Sequence, residues 1–141
     1  MGFISYRLKI DAPREEVFRL IADVEGFNCF SSAIKEVRRT APRHYRWKVE
    51  ILGIPLEWEA DVVEFREPAL FGWQSTSGVY NRGRYVLTPV GRMSTLVEFE
   101  LEYRLSNPVI DRLTSLMSGS VVKAIYREVL DNIKKELEKS D

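Results

Sequence analysis

In several segments of this sequence aromatic residues stand at the apolar positions of an alternating pattern, and they are the side chains best suited to hold a ligand. The 141 residues include 3 Trp, 6 Tyr and 7 Phe. Because the side chains of a strand alternate between its two faces, this spacing collects many of them on one apolar face. Buried indole N–H and phenol O–H groups also seek hydrogen-bond partners, so they can orient a bound molecule. The candidate ligand-binding residues from these segments are Trp47, Trp58, Trp73, Gln74, Tyr85, Phe99 and Tyr103. Ordinary core packing is an equally good explanation for any one of them.

Other reactive side chains are few and poorly placed for catalysis. His44 is the single histidine and stands beside a turn predicted after Pro42, so we expect no serine–histidine–acid arrangement. Cys29 is the single cysteine, and without a basic neighbour it is expected to be a small buried apolar side chain. This composition predicts no metal site and no cofactor. Tyr103 and Tyr85 remain as candidate proton donors, so the sequence favours binding over catalysis.

The charged residues balance, with 21 Lys+Arg against 21 Asp+Glu, which argues against a general nucleic-acid binder. Two acidic runs alternate with apolar residues and are therefore expected to face solvent, opposite basic residues of neighbouring strands. These acidic residues are Glu57, Glu59, Asp61, Glu98, Glu100 and Glu102. A basic cluster is explained either as a solvated sheet edge or as a transient contact with an anionic membrane surface. It comprises Lys35, Arg38, Arg39, Arg43 and Arg46. The nearby turn at residues 27–30 would join that contact if Phe27 and Phe30 are exposed.

The hydrophobic period changes along the chain in an order that predicts strand, helix, strands and helix. Residues 3–10 alternate and predict a strand, and Pro13 then opens a helix followed by a second short helix or turn. A run of antiparallel strands covers residues 34–105, and one long helix is predicted over residues 107–138 with a bend at Gly119. Pairing residues 45–51 with 56–62 about Gly53 sets Lys48 opposite Glu59 in the central hairpin.

Length and composition are typical of one folded domain spanning residues 1–141. Hydrophobic residues make up 45% of the chain, and no linker or repeat divides it. No apolar run approaches the roughly 18 residues that span a bilayer, and the N-terminus lacks the apolar core of a signal peptide. We therefore expect a cytoplasmic α+β protein in which a curved antiparallel sheet wraps around the terminal helix.

This order resembles the helix-grip fold of the START and birch-pollen-allergen superfamily over essentially the whole chain. Three stretches carry the likeness: IDAPREEVFRLIADVEGFNCFSSAIKEV, WEADVVEFREPALFGWQSTSG and LVEFELEYRLSNP. Within the superfamily, the sequence is most similar to the polyketide cyclase/dehydrase and coenzyme-Q-binding branch.

The resemblance implies a hydrophobic cavity between the sheet and the terminal helix, closed by Leu113, Leu116 and Met117 from the first half of that helix. It implies a hydrophobic small-molecule ligand, such as a lipid, an isoprenoid quinone or a polyketide, that is carried or sequestered by a monomer or weak homodimer. One alternative is a polyketide cyclase/dehydrase-type enzyme that uses the same pocket. A second alternative is a protein-interaction module.

Overall fold

The computed structural model describes residues 2–104 and 119–139, and most of them lie in one antiparallel sheet. The sheet has seven strands in the order β1-β7-β6-β5-β4-β3-β2. The strands are β1 (Gly2–Ile10), β2 (Ile34–Ala41), β3 (His44–Ile51), β4 (Ile54–Arg66), β5 (Leu70–Gly78), β6 (Tyr80–Pro89) and β7 (Thr95–Arg104). Each successive pair from β2 to β7 is a hairpin, and β1 returns to pair with β7. The two edges of the sheet are therefore β1 and β2.

Helices lie on the concave side of this sheet, as the predicted α+β helix-grip arrangement requires. Helix α1 (Arg14–Ala22) follows β1 and leads into a 3-10 helix (Val24–Cys29). Helix α2 (Ser120–Leu137) packs its buried side chains into the same core as the inner face of the sheet. The predicted order of elements is thus confirmed, including the two short helices after the first strand.

The described part of the helix predicted over residues 107–138 begins at Ser120. Gly119 has a φ of 80°, a left-handed value that an α-helix cannot include, and α2 begins at the next residue. Gly119, where the sequence predicted a bend, therefore lies just outside α2. The first part of the predicted helix lies outside the described residues.

The second half of α2 is fixed firmly to the rest of the molecule. Val129, Leu130 and Ile133 are 0% exposed in the core. At its edges, Asn132 Nδ2 donates to the carbonyl oxygen of Phe30 at 2.7 Å, and the Tyr6 hydroxyl donates to Asp131 at 3.3 Å. Burial and hydrogen bonds therefore hold the second half of α2 in place against the sheet. Within residues 2–104 and 119–139, no helix is long and apolar enough to cross a membrane.

The hairpin of β6 and β7 confirms the predicted assignment of faces. Tyr85 lies opposite Phe99 on the buried face, and Arg84 lies opposite Glu100 on the outer face. Arg84 Nε and a Glu100 carboxylate oxygen are 3.5 Å apart. The acidic strand residues are thus on the solvated side, opposite basic partners, as their alternation predicted.

The hairpin of β3 and β4 corrects the predicted register by two residues. Lys48 lies opposite Glu57 rather than Glu59, because the turn is formed by Leu52 and Gly53. Both of these residues have positive φ, 51° and 82°, as a type I′ turn requires. A shift of two residues keeps every side chain on its predicted face but changes its neighbour across the strands.

Candidate ligand-binding site

Two cavities lie between the concave face of the sheet and α2. The first has a volume of about 40 Å³ and the second about 20 Å³. The first cavity is lined by Ile34, Trp47, Val49, Ile51, Leu56, Trp58, Val79, Asn81, Leu101, Tyr103, Val122, Ile125 and Tyr126. The second is lined by Val24, Phe27, Tyr45, Trp47, Ala60, Asp61, Val62, Phe71, Trp73, Tyr85 and Tyr126. Because a water needs at least about 10–15 Å³, each cavity as built holds no more than a few waters.

Trp47 and Tyr126 border both cavities and form the partition between them. The Trp47 ring lies parallel to that of Trp58, with centroids 5.7 Å apart and planes inclined by 11°. Tyr126 stacks on Phe99 from the other side, with centroids 4.6 Å apart. A rotation of either partition residue would therefore join the two spaces into one.

A second aromatic cluster fills the other half of the concave face. Trp73 contacts Tyr85 and Phe99 at centroid distances of 5.5 and 6.1 Å, and Tyr85 lies 5.1 Å from Phe99. Phe99 is fully buried beneath these rings and borders neither cavity among the described lining residues. Trp73 and Tyr85 of this cluster border the smaller, second cavity, whereas Trp58 borders the first.

Polar groups on the concave face divide into paired and unpaired ones. The Trp73 N–H donates to Asn81 Oδ1 at 2.9 Å, and Asn81 Nδ2 in turn donates to the Val79 carbonyl oxygen at 3.0 Å. The Trp58 indole N–H and the Tyr85 hydroxyl are also buried, but neither has a hydrogen-bond partner among the residues that the structure describes. Such buried, unpaired donors are uncommon and are available to a ligand.

The tyrosines of the site are held in their neutral form. Burial raises the pKa of Tyr103 above its usual value, and it raises the pKa of Tyr85 well above that value. Burial raises the pKa of Tyr126 in the same way. Each hydroxyl therefore keeps its proton at neutral pH and can serve as a hydrogen-bond donor.

Sequence comparison identifies the family to which this arrangement belongs. A family model described as polyketide cyclase / dehydrase and lipid transport matches residues 3–138. The chain belongs to this family. A search of curated proteins finds no match.

Solved structures support the fold of this polyketide cyclase / dehydrase and lipid transport family member. A Thermus thermophilus protein superposes with a TM-score of 0.84 at 21% identity, covering 96% of this chain and 97% of its own. A START superfamily protein from Mycobacterium smegmatis gives 0.79 at 20% identity, covering 97% of both chains. The Zhui aromatase/cyclase from Streptomyces gives 0.66 at 15% identity, covering 98% of this chain and 96% of that one. At these identities the likeness concerns the fold.

Most of the candidate site residues of this family member lie around the two cavities. Trp58 and Tyr103 border the first cavity, and Trp73 and Tyr85 border the second. Gln74 does not join them, because it alternates with Trp73 along β5 and so lies in a groove on the outer face. The predicted residues Leu113, Leu116 and Met117 lie outside the described residues.

One expectation about the turn at residues 27–30 is wrong, and Phe27 does not meet the condition of exposure that was attached to another. Cys29 is exposed rather than buried, because it ends the 3-10 helix with its side chain turned to solvent. Phe27 is buried, and its ring meets that of Trp47 edge-on at 5.8 Å, so it is no exposed lip for a membrane. Phe30 is half-buried against the core. The alternation that marks strands carries no information about which side of a short 3-10 helix is buried.

The sequence analysis also missed an ionic cluster on β3 and β4. His44 Nδ1 lies 2.6 Å from Asp61 Oδ1, and His44 Nε2 lies 2.9 Å from Glu59 Oε1. The hydrogen bond to Asp61, and then that to Glu59, raise the pKa of His44, and the bond to His44 lowers the pKa of Glu59. Glu59 and Asp61 stand two positions apart on one face of β4, and this spacing was a signal in the sequence. The correct register of the β3–β4 hairpin was also needed to place His44 between them.

Proposed function

We propose that this protein binds a hydrophobic small molecule between the concave face of the sheet and α2, and that it acts as a carrier or sequestering protein. The molecule is of lipid, isoprenoid-quinone or polyketide-like type. The observation that carries this proposal is the lining of the first cavity, whose described residues are aromatic, aliphatic or uncharged polar. Removing apolar ligand surface from water at such a wall contributes about 25 cal/mol per Å².

Binding requires the partition of Trp47 and Tyr126 to move. Sites for small molecules commonly measure about 300–1,000 Å³, whereas the two cavities measure about 40 and 20 Å³. Trp47 is half-buried, so its ring can turn outward at lower cost than a core residue. Ligand entry is therefore expected to change the environment of a tryptophan that stacks on Trp58.

The first experiment is native mass spectrometry of freshly purified protein, followed by organic extraction and identification of any released molecule. It is paired with a titration of delipidated protein by N-phenylnaphthylamine, an uncharged apolar fluorophore. We expect a saturable signal at one site per chain. Absence of both a co-purified molecule and saturable binding contradicts the proposal.

Two valine substitutions test where the fluorophore binds. Val79→Phe fills the first cavity, which Val79 lines, and is expected to weaken binding at least several-fold. Val63→Phe makes the same change at an exposed position on the outer face and is expected to leave binding unchanged. Thermal unfolding of both variants checks that they are folded. Equal binding by the two variants places the fluorophore outside the cavity.

A cyclase or dehydrase activity in the same pocket is the second candidate, favoured by the buried, unpaired Tyr85 hydroxyl beside the second cavity. Tyr85 or Tyr103 would donate a proton to a substrate oxygen as a ring closes or water leaves. Incubation with a linear poly-β-ketone tests this, with product followed by mass spectrometry. Loss of turnover in Tyr85→Phe or Tyr103→Phe with unchanged binding would support catalysis, and no turnover by the native protein would contradict it.

A further inference from the structure

The indole of Trp58 combines deep burial with a hydrogen-bond donor. The side chain projects from the middle of β4 into the lining of the first cavity, and the residue is only 8% exposed. Its N–H group has no acceptor among the described residues. An indole N–H can donate and cannot accept, so only an acceptor atom can satisfy it.

The other polar side chains in the described lining are those of Asn81 and Tyr103. Asn81 is the amide that lines this cavity, but its Oδ1 accepts from Trp73 and its Nδ2 donates to Val79. Tyr103 also borders the cavity, and burial raises the pKa of its hydroxyl, so it keeps its proton. Besides the Tyr103 hydroxyl, which can donate or accept, the described lining offers the Trp58 N–H as a donor.

The described lining of the first cavity contains no charged side chain. None of the described residues that line the first cavity carries a carboxylate, an ammonium or a guanidinium group. An ionised ligand group would lose its hydration there without gaining a counter-ion, which is strongly unfavourable. A pure hydrocarbon would tolerate the wall but would leave the Trp58 N–H unpaired.

We propose that the Trp58 N–H anchors an uncharged ligand through an oxygen acceptor, so that the site selects neutral carbonyl compounds over both hydrocarbons and carboxylates. This inference rests on the proposed function, because it assumes that the cavity opens to an apolar ligand. The flat pair of Trp47 and Trp58 rings offers a stacking surface beside the donor. The ligand class that fits is a planar or unsaturated molecule with a ketone or ester oxygen.

Three naphthalene probes of matched shape test this selectivity. 2-Acetylnaphthalene carries a carbonyl, 2-isopropenylnaphthalene replaces its oxygen by CH₂, and 2-naphthoate carries a charge. Their affinities are measured by equilibrium dialysis with chromatographic quantification. We expect the ketone to bind about 3- to 10-fold more tightly than the alkene, the range of one net hydrogen bond. We expect the carboxylate to bind at least about 10-fold more weakly than the ketone.

Variants assign the preference to the indole. Trp58→Phe keeps an aromatic ring and removes the N–H, so it is expected to abolish the preference for the ketone over the alkene. Tyr80→Phe is the matched control, since it removes a hydroxyl that donates to Glu102 at 2.7 Å on the outer face. It should leave the preference intact. Thermal unfolding confirms that each variant is folded, and the comparison of probes on the native protein stands without any variant.

The outcomes separate this inference from the proposed function. Binding of ketone and alkene with equal affinity overturns the inference and leaves hydrophobic binding in place. A ketone preference that survives in Trp58→Phe and disappears in Tyr103→Phe overturns the assignment to Trp58. Tightest binding by 2-naphthoate overturns the exclusion of charge. Failure of all three probes to bind the native protein contradicts the proposed function itself.

Discussion

Trp58 and Trp73 project from neighbouring strands onto the same concave face, yet they have opposite surroundings. Trp73 donates to Asn81 at 2.9 Å and packs against the rings of Tyr85 and Phe99. Trp58 stacks on Trp47 and keeps its N–H unpaired beside a cavity, among the described residues. Both indoles border a cavity, and they differ in that the Trp73 N–H is paired whereas the Trp58 N–H has no partner among the described residues.

The difference arises from the neighbours rather than from the tryptophans. Gly83 lies beneath Trp73, where an added Cβ would come within 2.6 Å of Trp73 Cζ2, so the missing side chain allows the indole to lie close to β6. Asn81, two residues earlier on β6, then supplies the acceptor. Trp58 also lies opposite a glycine, Gly78, but no acceptor reaches its N–H among the described residues.

Matched Trp→Phe substitutions provide the strongest test of this comparison. Trp73→Phe leaves Asn81 Oδ1 buried without its donor, whereas Trp58→Phe breaks no hydrogen bond to a described residue. We expect Trp73→Phe to lower the free energy of unfolding by about 1–3 kcal/mol more than Trp58→Phe. Urea unfolding of both variants measures the difference. Equal destabilisation would show that the two indoles are energetically alike and would remove the basis for the comparison.

The sequence predicts the faces of the sheet better than it predicts contacts across it. Alternation correctly places Trp47, Trp58 and Trp73 inside because side-chain direction depends only on position along a strand. It does not reveal that Trp73 meets Asn81, since that contact depends on the path of the chain between β5 and β6. Gln74 illustrates the same rule: its alternation with Trp73 already placed it on the outer face.

The sequence also leaves the size of the cavities undetermined. The same aromatic residues can line a pocket or fill it, and their volumes alone do not distinguish the two. In this protein Trp47 and Tyr126 lie between the two cavities. Their placement depends on side-chain rotamers and on the position of α2 against the sheet. The central hairpin shows a related limit, because patterns of period two are unchanged by a register shift of two residues.

The turn of the β3–β4 hairpin can be stabilised by a substitution outside the described linings of the two cavities. Leu52 has a φ of 51°, a left-handed conformation that is costly for leucine, and its side chain is 59% exposed. Asparagine adopts this conformation readily in type I′ turns. Leu52→Asn is therefore expected to raise the free energy of unfolding by about 0.5–1 kcal/mol in urea titrations.

Leu52→Ala is the matched control, since it shortens the side chain but keeps the cost of a left-handed residue with a Cβ. It should give little or no stabilisation. If both variants stabilise the protein equally, the benefit comes from removing an exposed apolar side chain and not from the backbone. In that case the left-handed conformation of residue 52 does not account for the stabilisation.

The smallest expected effect concerns the outer face of the same two strands, where His44 lies between Asp61 and Glu59. The hydrogen bonds to Asp61 and then Glu59 raise the pKa of His44 above its ordinary value of 6.5. Its contribution to stability is therefore complete below about pH 6.5 and is lost as the pH rises through the raised folded-state pKa. The bond to His44 lowers the pKa of Glu59 below its ordinary 4.5. The contribution of Glu59 to stability is therefore lost as the pH falls through that lowered pKa.

His44→Gln should consequently destabilise the protein most between about pH 4.5 and 6.5, and hardly at all near pH 9. The expected loss is below about 1 kcal/mol, because solvent screens ion pairs that are half-exposed. Urea unfolding of the native protein and the variant across this pH range measures the loss. The same measurement on Arg84→Gln, which removes an outer-face ion pair with Glu100, provides the comparison. A pH-independent cost in His44→Gln would mean that the side chain acts through packing. A cost confined to acid pH would show that the ion pairs of His44 with Asp61 and Glu59 contribute to the stability of the β3–β4 hairpin.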